Sequence, residues 1–338
     1  SNTGGDPMGA YIIAEAGVNH NGRLDLAREL CLAAKNAGAD CVKFQTWQTE
    51  KIITRSVAQA DYQADNTGRT ESQFDMLKRL ELSYDDFRAV KAYCDEIGIQ
   101  FASTADEADS LDFLLTLGIP FIKIGSGEIG NIPYLRYMGS KKKPVLLSTG
   151  MSSLADVELS LEALRQGGAE DITLLHCTTS YPCPYDRVNL RAMDTLRAAF
   201  GLPVGYSDHT EGIAIPTAAV ALGATVIEKH FTLDRHMEGP DHLASTEPEA
   251  FRQMVSAIRQ VEAGLGSGRK TPSPEERAIS EVVLKRLVAA RPIPAGTLLT
   301  ADDLTVKRND RGLSARYWDL VIGTPARRDY AADDAIEL

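Results

Sequence analysis

The amino-acid sequence predicts a parallel (β/α)8 TIM barrel followed by a small, β-rich C-terminal domain. Short apolar runs alternate with helical segments eight times over residues 10–265. The apolar runs lack the polar–apolar alternation of half-exposed strands, which is typical of parallel strands buried on both faces. From about residue 287 the pattern changes to short β-like runs separated by turns. A closed barrel is therefore favoured over an open, doubly wound sheet.

Eight strand–helix units carry the barrel prediction. The predicted strands are residues 11–14, 41–44, 99–102, 121–124, 145–147, 172–175, 204–206 and 225–228. The helices that follow them are predicted at residues 24–36, 84–97, 105–117, 133–138, 154–166, 190–200, 213–222 and 248–264.

Three further segments complete the predicted organisation. Residues 48–79 are polar and too long for an ordinary connection, which indicates a functional insertion. Residues 266–286 are rich in glycine, serine and proline and are predicted to be a linker. Residues 287–338 form the predicted second domain. Because so short a segment has little core of its own, we expect it to pack on another surface.

The composition restricts the class of protein. The 338 residues carry a net charge of -11, which argues against nucleic acid or an anionic membrane as the main partner. No apolar run is long enough to span a bilayer. Residues 1–9 lack the pattern of a signal peptide and are expected to be an expression remnant. Five cysteines without metal-type spacing favour reduced thiols in a cytoplasmic protein.

Polar residues follow the predicted strands at the end where barrel enzymes carry their chemistry. His209 and His230 end two consecutive strands, so both imidazoles are expected at one rim, where they could share a divalent ion. Two ordinary rim histidines are the alternative. All six histidines of the chain lie at or beyond strand ends, which favours a functional cluster.

Two lysines lie within apolar strands, where a charge is costly to bury without a partner. Lys43 and Lys123 could each bridge a carboxylate, or together with nearby hydroxyls and glycine amides form an anion site. The hydroxyls are those of Thr104, Ser126, Ser148 and Ser207. The candidate acids for proton transfer or for binding sugar hydroxyls are Glu15, Glu128, Asp208 and Asp241.

Seven segments in register resemble the sialic acid synthase family, from about Tyr11 to the end of the chain. They are Ile12-Ile-Ala-Glu-Ala-Gly-Val-Asn-His-Asn-Gly, Val42-Lys-Phe-Gln, Lys123-Ile-Gly-Ser-Gly-Glu, Leu147-Ser-Thr-Gly-Met, Leu175-His-Cys-Thr, Gly205-Tyr-Ser-Asp-His-Thr and Glu228-Lys-His-Phe-Thr-Leu-Asp. The C-terminal domain resembles the antifreeze-like (SAF) domain of these enzymes.

The resemblance implies a reaction and a set of site residues. The reaction is condensation of phosphoenolpyruvate with an N-acylated mannosamine-type aldehyde, giving a nine-carbon 2-keto acid and phosphate. The resemblance also implies a divalent metal held by His209 and His230, manganese in most members, with magnesium and cobalt as alternatives. Glu15 is implied as the catalytic acid. The phosphoenolpyruvate-binding residues are implied to be Lys43, Thr104, Lys123, Ser126, Ser148 and Ser207. The sugar-binding residues are implied to be Gln45, Glu128, Tyr181, Asp241 and Arg308.

The resemblance further implies a domain-swapped homodimer, in which the tail of one subunit caps the barrel of the other. Three positions depart from the family. Ala105-Asp106 stands where the family has Pro-Phe after Ser-Thr, and Thr179 stands where some members have asparagine. Near Arg308 the tail motif differs as well, and Arg311 could take its place as the capping arginine.

Two alternatives remain open. A legionaminate or pseudaminate synthase would keep the chemistry and act on a 2,4-diacetamido-2,4,6-trideoxyhexose. The segment Gly239-Pro-Asp-His-Leu-Ala-Ser-Thr-Glu-Pro resembles the neuraminate and legionaminate branches more than the pseudaminate branch. A non-catalytic binding barrel is the alternative from a different class.

Overall fold

A computed structural model describes residues 9–56 and 71–338 of the chain. The expected N-terminal remnant lies outside these residues except for Gly9, and so do residues 57–70 of the predicted insertion. The described parts of the insertion contain two helices, Thr49–Ile52 and Gln73–Leu80. Within the two described stretches, no helix has both the length and the apolar composition that crossing a bilayer requires.

The first compact unit, which ends at Gly266, is a parallel eight-stranded barrel. The hydrogen-bonded order is β3-β2-β1-β8-β7-β6-β5-β4, and β3 and β4 contact each other to complete the ring. The strands are β1 (Tyr11–Gly17), β2 (Cys41–Thr46), β3 (Gln100–Ala105), β4 (Ile122–Ile124), β5 (Val145–Ser148), β6 (Ile172–Cys177), β7 (Val204–Asp208) and β8 (Val226–His230). The predicted barrel is confirmed.

Helices follow the strands and cover the outside of the barrel. They are α1 (Leu24–Asn36), α2 (Thr49–Ile52), α3 (Gln73–Leu80), α4 (Tyr84–Ile97), α5 (Ala108–Thr116), α6 (Ile132–Ser140), α7 (Leu154–Gly167), α8 (Ala192–Phe200), α9 (Ala214–Ala221) and α10 (Pro248–Leu265). Several begin at a side-chain cap. Ser153 and Asp156, for example, form a reciprocal capping box at the start of α7.

The second compact unit is Ser267–Leu338. It contains helix α11 (Pro274–Val283), the antiparallel pair β9 (Arg286–Ala289) and β10 (Leu304–Lys307), and the short helix α12 (Trp318–Val321). Helix α11 lies within the segment that was expected to be a linker. The unit has an apolar core of its own, made by Leu287, Ala289, Ile293, Leu299, Leu304, Val321, Ala326, Tyr330 and Ile336.

Side-chain alternation along the strands divides the barrel interior into layers, because every second residue of a strand faces inward. The lowest of these layers is a buried apolar cluster made by Ile13, Cys41, Ala102, Phe121, Leu146, Leu175 and Val226. Two residues further along the same strands, the inward positions are polar. They include Glu15, Lys43, Thr104, Lys123, Ser148, Cys177 and Glu228.

The residues between these inward positions face the helices. This orientation corrects the expectation that Asp208 could transfer protons in the site. Asp208 was a candidate for proton transfer, but its carboxylate lies 2.5 Å from the ammonium of Lys229. It also accepts hydrogen bonds of 2.8 Å from the hydroxyls of Tyr206 and Thr210. The Asp208–Lys229 pair is buried and is not on the lining of the cavity described below. Asp208 is therefore a structural residue.

Candidate active site

The polar inward layer lines a cavity of about 240 Å³ at the carboxyl ends of the strands. Most of the predicted site residues lie on its lining: Glu15, Lys43, Gln45, Thr104, Lys123, Ser126, Ser148, Tyr181, Ser207, His209 and His230. Of the predicted residues in this unit, Glu128 and Asp241 are not among its lining residues. Segments distant in sequence thus meet in one place, as expected for the functional end of a (β/α)8 barrel.

Two lysines and two carboxylates form a buried cluster on the floor of this cavity. The ammonium of Lys43 contacts the carboxylate of Glu15 and lies 3.5 Å from that of Glu228. The ammonium of Lys123 lies 3.7 Å from the other oxygen of Glu228. All four side chains are at most 5% exposed. Each lysine therefore has the carboxylate neighbour that its burial requires, and the lysines also remain on the cavity wall.

The two carboxyl groups of the cluster differ in acidity. Burial raises the pKa of Glu15 to about 7, although the Lys43 ammonium opposes this shift. Burial acts on Glu228 in the same direction, but Lys123 and Lys43 together hold its pKa well below the usual range. Near neutral pH, Glu15 can therefore gain or lose a proton while Glu228 stays ionised. A carboxyl group with a pKa near the working pH is suited to proton transfer.

Hydroxyl groups surround the two lysines. The Lys43 ammonium donates to Thr104 Oγ1 over 2.9 Å, and Ser207 Oγ donates to Glu228 Oε1 over 3.0 Å. The hydroxyl of Ser126 accepts from the Gly150 amide over 2.9 Å. Ser148 is buried on the same wall. The cations and the short hydroxyl side chains together could bind a compact anion.

The two histidines of the cavity are neighbours. The ring centroids of His209 and His230 are 5.3 Å apart. The Nδ1 atom of His209 lies 2.9 Å from the Thr178 carbonyl oxygen, which can only accept, so Nδ1 carries the proton and Nε2 is left with its lone pair. Burial lowers the pKa of His209, and burial together with His209 lowers the pKa of His230 to about 3. Both rings are thus neutral and able to bind a metal.

The other histidines do not share this role. His20 accepts from the Gly22 amide over 2.9 Å, and His176 lies 2.7 Å from the Val188 carbonyl. His242 lies 2.6 Å from the Thr232 hydroxyl, and His236 is exposed. In the described stretches, no three His, Cys, Asp or Glu side chains converge as a metal-binding group. A metal at this site would therefore have two imidazole ligands and open positions for other ligands.

Two predicted site residues of the first unit, Glu128 and Asp241, are outside the cavity lining, and the third, Arg308, belongs to the second unit. Glu128 is in the short turn after β4 and accepts from Asn131 over 2.8 Å. Asp241 is in the loop after β8, where burial raises its pKa to about 6. Arg308 is exposed in the second unit, as is Arg311.

Two acidic residues of the cavity were not among the predicted site residues. Glu228 contacts both lysines, and Asp106 lies on the cavity wall just beyond β3. Counting by two along each strand would have found them. Glu228 lies between the inward positions Val226 and His230, and Asp106 is two residues after Thr104.

Comparison with known proteins identifies the family. The profile of the NeuB family matches residues 30–270, and that of the SAF domain matches residues 286–337. The N,N'-diacetyllegionaminic acid synthase of Legionella pneumophila is 45% identical over 324 residues, covering 95% of this chain and 91% of its own. The human N-acetylneuraminate-9-phosphate synthase is 40% identical over 299 residues, covering 88% of this chain and 82% of its own.

Solved structures agree with these sequence matches. The crystal structure of an N-acetylneuraminic acid (sialic acid) synthetase from Leptospira borgpetersenii superposes with a TM-score of 0.70 at 32% identity. The match covers 81% of this chain and 90% of that one. The predicted resemblance is confirmed: the chain belongs to the NeuB family, the family of sialic acid and legionaminic acid synthases, and it ends in an SAF domain.

Proposed function

We propose that this enzyme condenses phosphoenolpyruvate and water with N-acetylmannosamine or a close analogue, giving a nine-carbon 2-keto acid and phosphate. One observation carries the proposal. In a chain of the NeuB family, two buried lysines form the cavity floor and two neutral histidines lie on its wall. The lysines suit a small, multiply charged anion, and the rest of the lining suits a neutral polyol.

Phosphoenolpyruvate is proposed to bind at the floor of the cavity. Lys43 and Lys123 would hold its carboxylate and phosphate groups, aided by hydroxyl donors. Because Glu15 and Glu228 neutralise the two lysines in the free enzyme, anion binding favours protonation of Glu15, the less acidic of the two carboxyls. The proposed hydroxyl donors are Thr104, Ser126, Ser148 and Ser207.

Glu15 is proposed to transfer the protons of the reaction. C3 of phosphoenolpyruvate attacks the sugar aldehyde, and the aldehyde oxygen takes a proton from the Glu15 carboxyl. Water then adds to the cationic C2 and returns a proton to Glu15. The bond between C2 and the phosphate oxygen breaks with its electron pair leaving on phosphate, which also takes the remaining proton of the water, and the oxygen from water becomes the keto oxygen. The lysines stabilise the charge that develops on the departing phosphate.

A divalent metal fits the histidine pair. The imidazoles are neutral and adjacent, and Glu15 Oε1 is buried with no hydrogen-bond partner among the described residues. We propose that His209 and His230 hold the ion, with manganese preferred and magnesium or cobalt as alternatives. When bound, it supplies Lewis-acid polarisation of the aldehyde and a template for water.

The sugar is proposed to lie toward the mouth of the cavity, against Gln45, Glu128, Tyr181 and Asp241. N-acetylmannosamine is the first candidate. A 2,4-diacetamido-2,4,6-trideoxyhexose is the second, because the Legionella relative, at 45% identity, is named for the diacetylated product. The same floor and histidines would serve both sugars.

The C-terminal unit is proposed to cap the barrel of a second subunit in a homodimer. Arg308, or Arg311 in its place, would then reach the N-acyl end of the sugar. Closure of the barrel mouth by this cap would exclude bulk water from the cationic C2 of the reaction intermediate. We also propose a cytoplasmic location, since all five cysteines are free and buried.

Phosphate release tests the proposed reaction. The purified enzyme with Mn²⁺ and phosphoenolpyruvate is expected to release phosphate with N-acetylmannosamine or with the diacetamido sugar, and to form one equivalent of 2-keto acid. The preferred sugar decides between the two candidates. Release of no phosphate with either sugar would contradict the proposal and favour a non-catalytic barrel.

Removing either histidine tests the metal site. His209→Ala and His230→Ala are each expected to lower the affinity for Mn²⁺ by at least about tenfold, because each removes one of two imidazole ligands. Mn²⁺ binding is measured by electron paramagnetic resonance, with His236→Ala, a change at an exposed histidine, as the control. Unchanged Mn²⁺ affinity in the folded double variant would place the metal elsewhere.

A mixing experiment tests the cap. Subunits truncated after residue 266 are combined with full-length His209→Ala subunits, neither of which is expected to be active alone. In a mixed dimer, the tail of the second chain would cover the intact barrel of the first and restore activity. If mixed dimers form and remain inactive, the cap does not act across subunits.

A further inference from the structure

Asp106 lies above the polar layer of the barrel, which contains Thr104 and the two lysines and is proposed to bind phosphoenolpyruvate. Its amide donates to the Thr46 carbonyl over 3.1 Å, which extends the β2–β3 pairing by one residue. Thr104 faces inward to Lys43, and Ala105 packs in the outer core. By strand alternation Asp106 faces inward again, roughly 6–7 Å nearer the mouth than Thr104. It therefore lies one inward position beyond Thr104, which is paired with Gln45, and not on the charged floor.

The position of β3 in the ring places Asp106 across the cavity from the histidines. In the order β3-β2-β1-β8-β7, four steps separate β3 from β7, which is half of an eight-stranded barrel. His209 follows β7 and His230 ends β8. If the aldehyde of the sugar lies at the histidines, as proposed above, the far end of the sugar lies toward Asp106.

The surroundings of Asp106 are acidic, unlike the floor below. Burial raises its pKa to about 7, and the carboxylates of Glu128 and Glu107 add to the effect, while Lys43 opposes it. Glu107 is occupied, since it accepts from the amides of Gln48 and Ser110. A phosphate or carboxylate group would be repelled at this wall, so the wall suits a neutral part of the substrate.

The Asp106 carboxyl has no hydrogen bond or ion pair within the described parts of the chain, although it is partly buried in the cavity wall. A desolvated carboxyl of this kind gains most from a ligand that donates a hydrogen bond. Hydroxyl and amide N–H groups of an amino sugar are such donors. The phenylalanine that the family's usual motif has at this position could accept no such bond.

We propose that Asp106 is a specificity residue that accepts a hydrogen bond from a hydroxyl or amide N–H at the end of the sugar remote from the aldehyde. It thereby selects neutral sugars over those phosphorylated at that end. This inference rests on the proposed function, since it takes the cavity to be the sugar site. It adds to that function a residue and a substrate class that the floor and the histidines do not determine.

Direct sugar binding tests this role without depending on turnover. The affinity for N-acetylmannosamine is measured by calorimetry in Mn²⁺ buffer for the wild type, Asp106→Asn, Asp106→Ala and Asp106→Phe. Loss of a hydrogen bond to a carboxyl group is expected to raise the Kd of Asp106→Ala about 10- to 100-fold, with Asp106→Phe similar and Asp106→Asn smaller. Phosphoenolpyruvate affinity is expected to stay within about twofold.

Asp109→Asn is the matched control. It removes the same charge from an exposed position on α5, where Asp109 pairs with Lys51, and is expected to bind the sugar as the wild type does. N-acetylmannosamine 6-phosphate provides the second arm. Asp106→Asn is expected to bind it better, relative to the neutral sugar, than the wild type does.

The outcomes separate the two proposals. A wild-type enzyme that binds neither sugar contradicts the proposed function itself. If the wild type binds N-acetylmannosamine and folded Asp106→Ala binds it equally well, the role of Asp106 is wrong. An equal loss of sugar and phosphoenolpyruvate affinity would also overturn it, because that would show a general disturbance of the cavity.

Discussion

The buried cluster of two lysines and two carboxylates is the interaction on which the account of the site depends. A lysine inside an apolar barrel is costly unless a carboxylate compensates it. Glu15 and Glu228 supply that compensation for Lys43 and Lys123. The resulting floor is close to neutral without ligand. In the proposed mechanism it becomes an anion site when Glu15 takes a proton, which its raised pKa allows near neutral pH.

The period-two geometry of the strands arranges the chemistry along the barrel axis. An apolar layer closes the lower end of the cavity, and the charged layer lies directly above it. The next inward positions hold Gln45, Asp106, His209 and His230. In this account, the anion binds in the charged layer and the neutral sugar lies above it, so that the two reacting carbons meet at the boundary between the layers.

Much of this arrangement could be predicted from the sequence. Buried parallel strands give continuous apolar runs, so Lys43, Lys123, His209 and His230 stood out where those runs become polar. Glu228 was missed because the two lysines that it contacts lie on β2 and β4, so the contacts become visible only when the ring closes. Asp106 lies beyond the predicted end of its strand, so the alternation that turns it inward was not counted that far.

The second limit on prediction from the sequence was the side of the sheet that a polar residue faces. Ser207 and Asp208 are adjacent polar residues at the same strand end, and polarity alone does not distinguish them. The register in the barrel turns Ser207 inward, toward Glu228, and turns Asp208 outward, toward Lys229 on the side that faces the helices. Helix α11 was missed because its flanking prolines and glycines indicate a linker, although Pro274 begins the helix and Ser273 caps it.

The most direct test of the charged floor is the kinetic effect of Lys123→Met. If the floor binds the anion, the variant should raise the KM for phosphoenolpyruvate at least about tenfold while the KM for the sugar changes far less. Lys229→Met makes the same change at a buried lysine that faces the helices. In this control variant, the KM for phosphoenolpyruvate should not rise selectively over the KM for the sugar. An equal effect of Lys123→Met on both substrates would contradict the account and show that the lysine is structural.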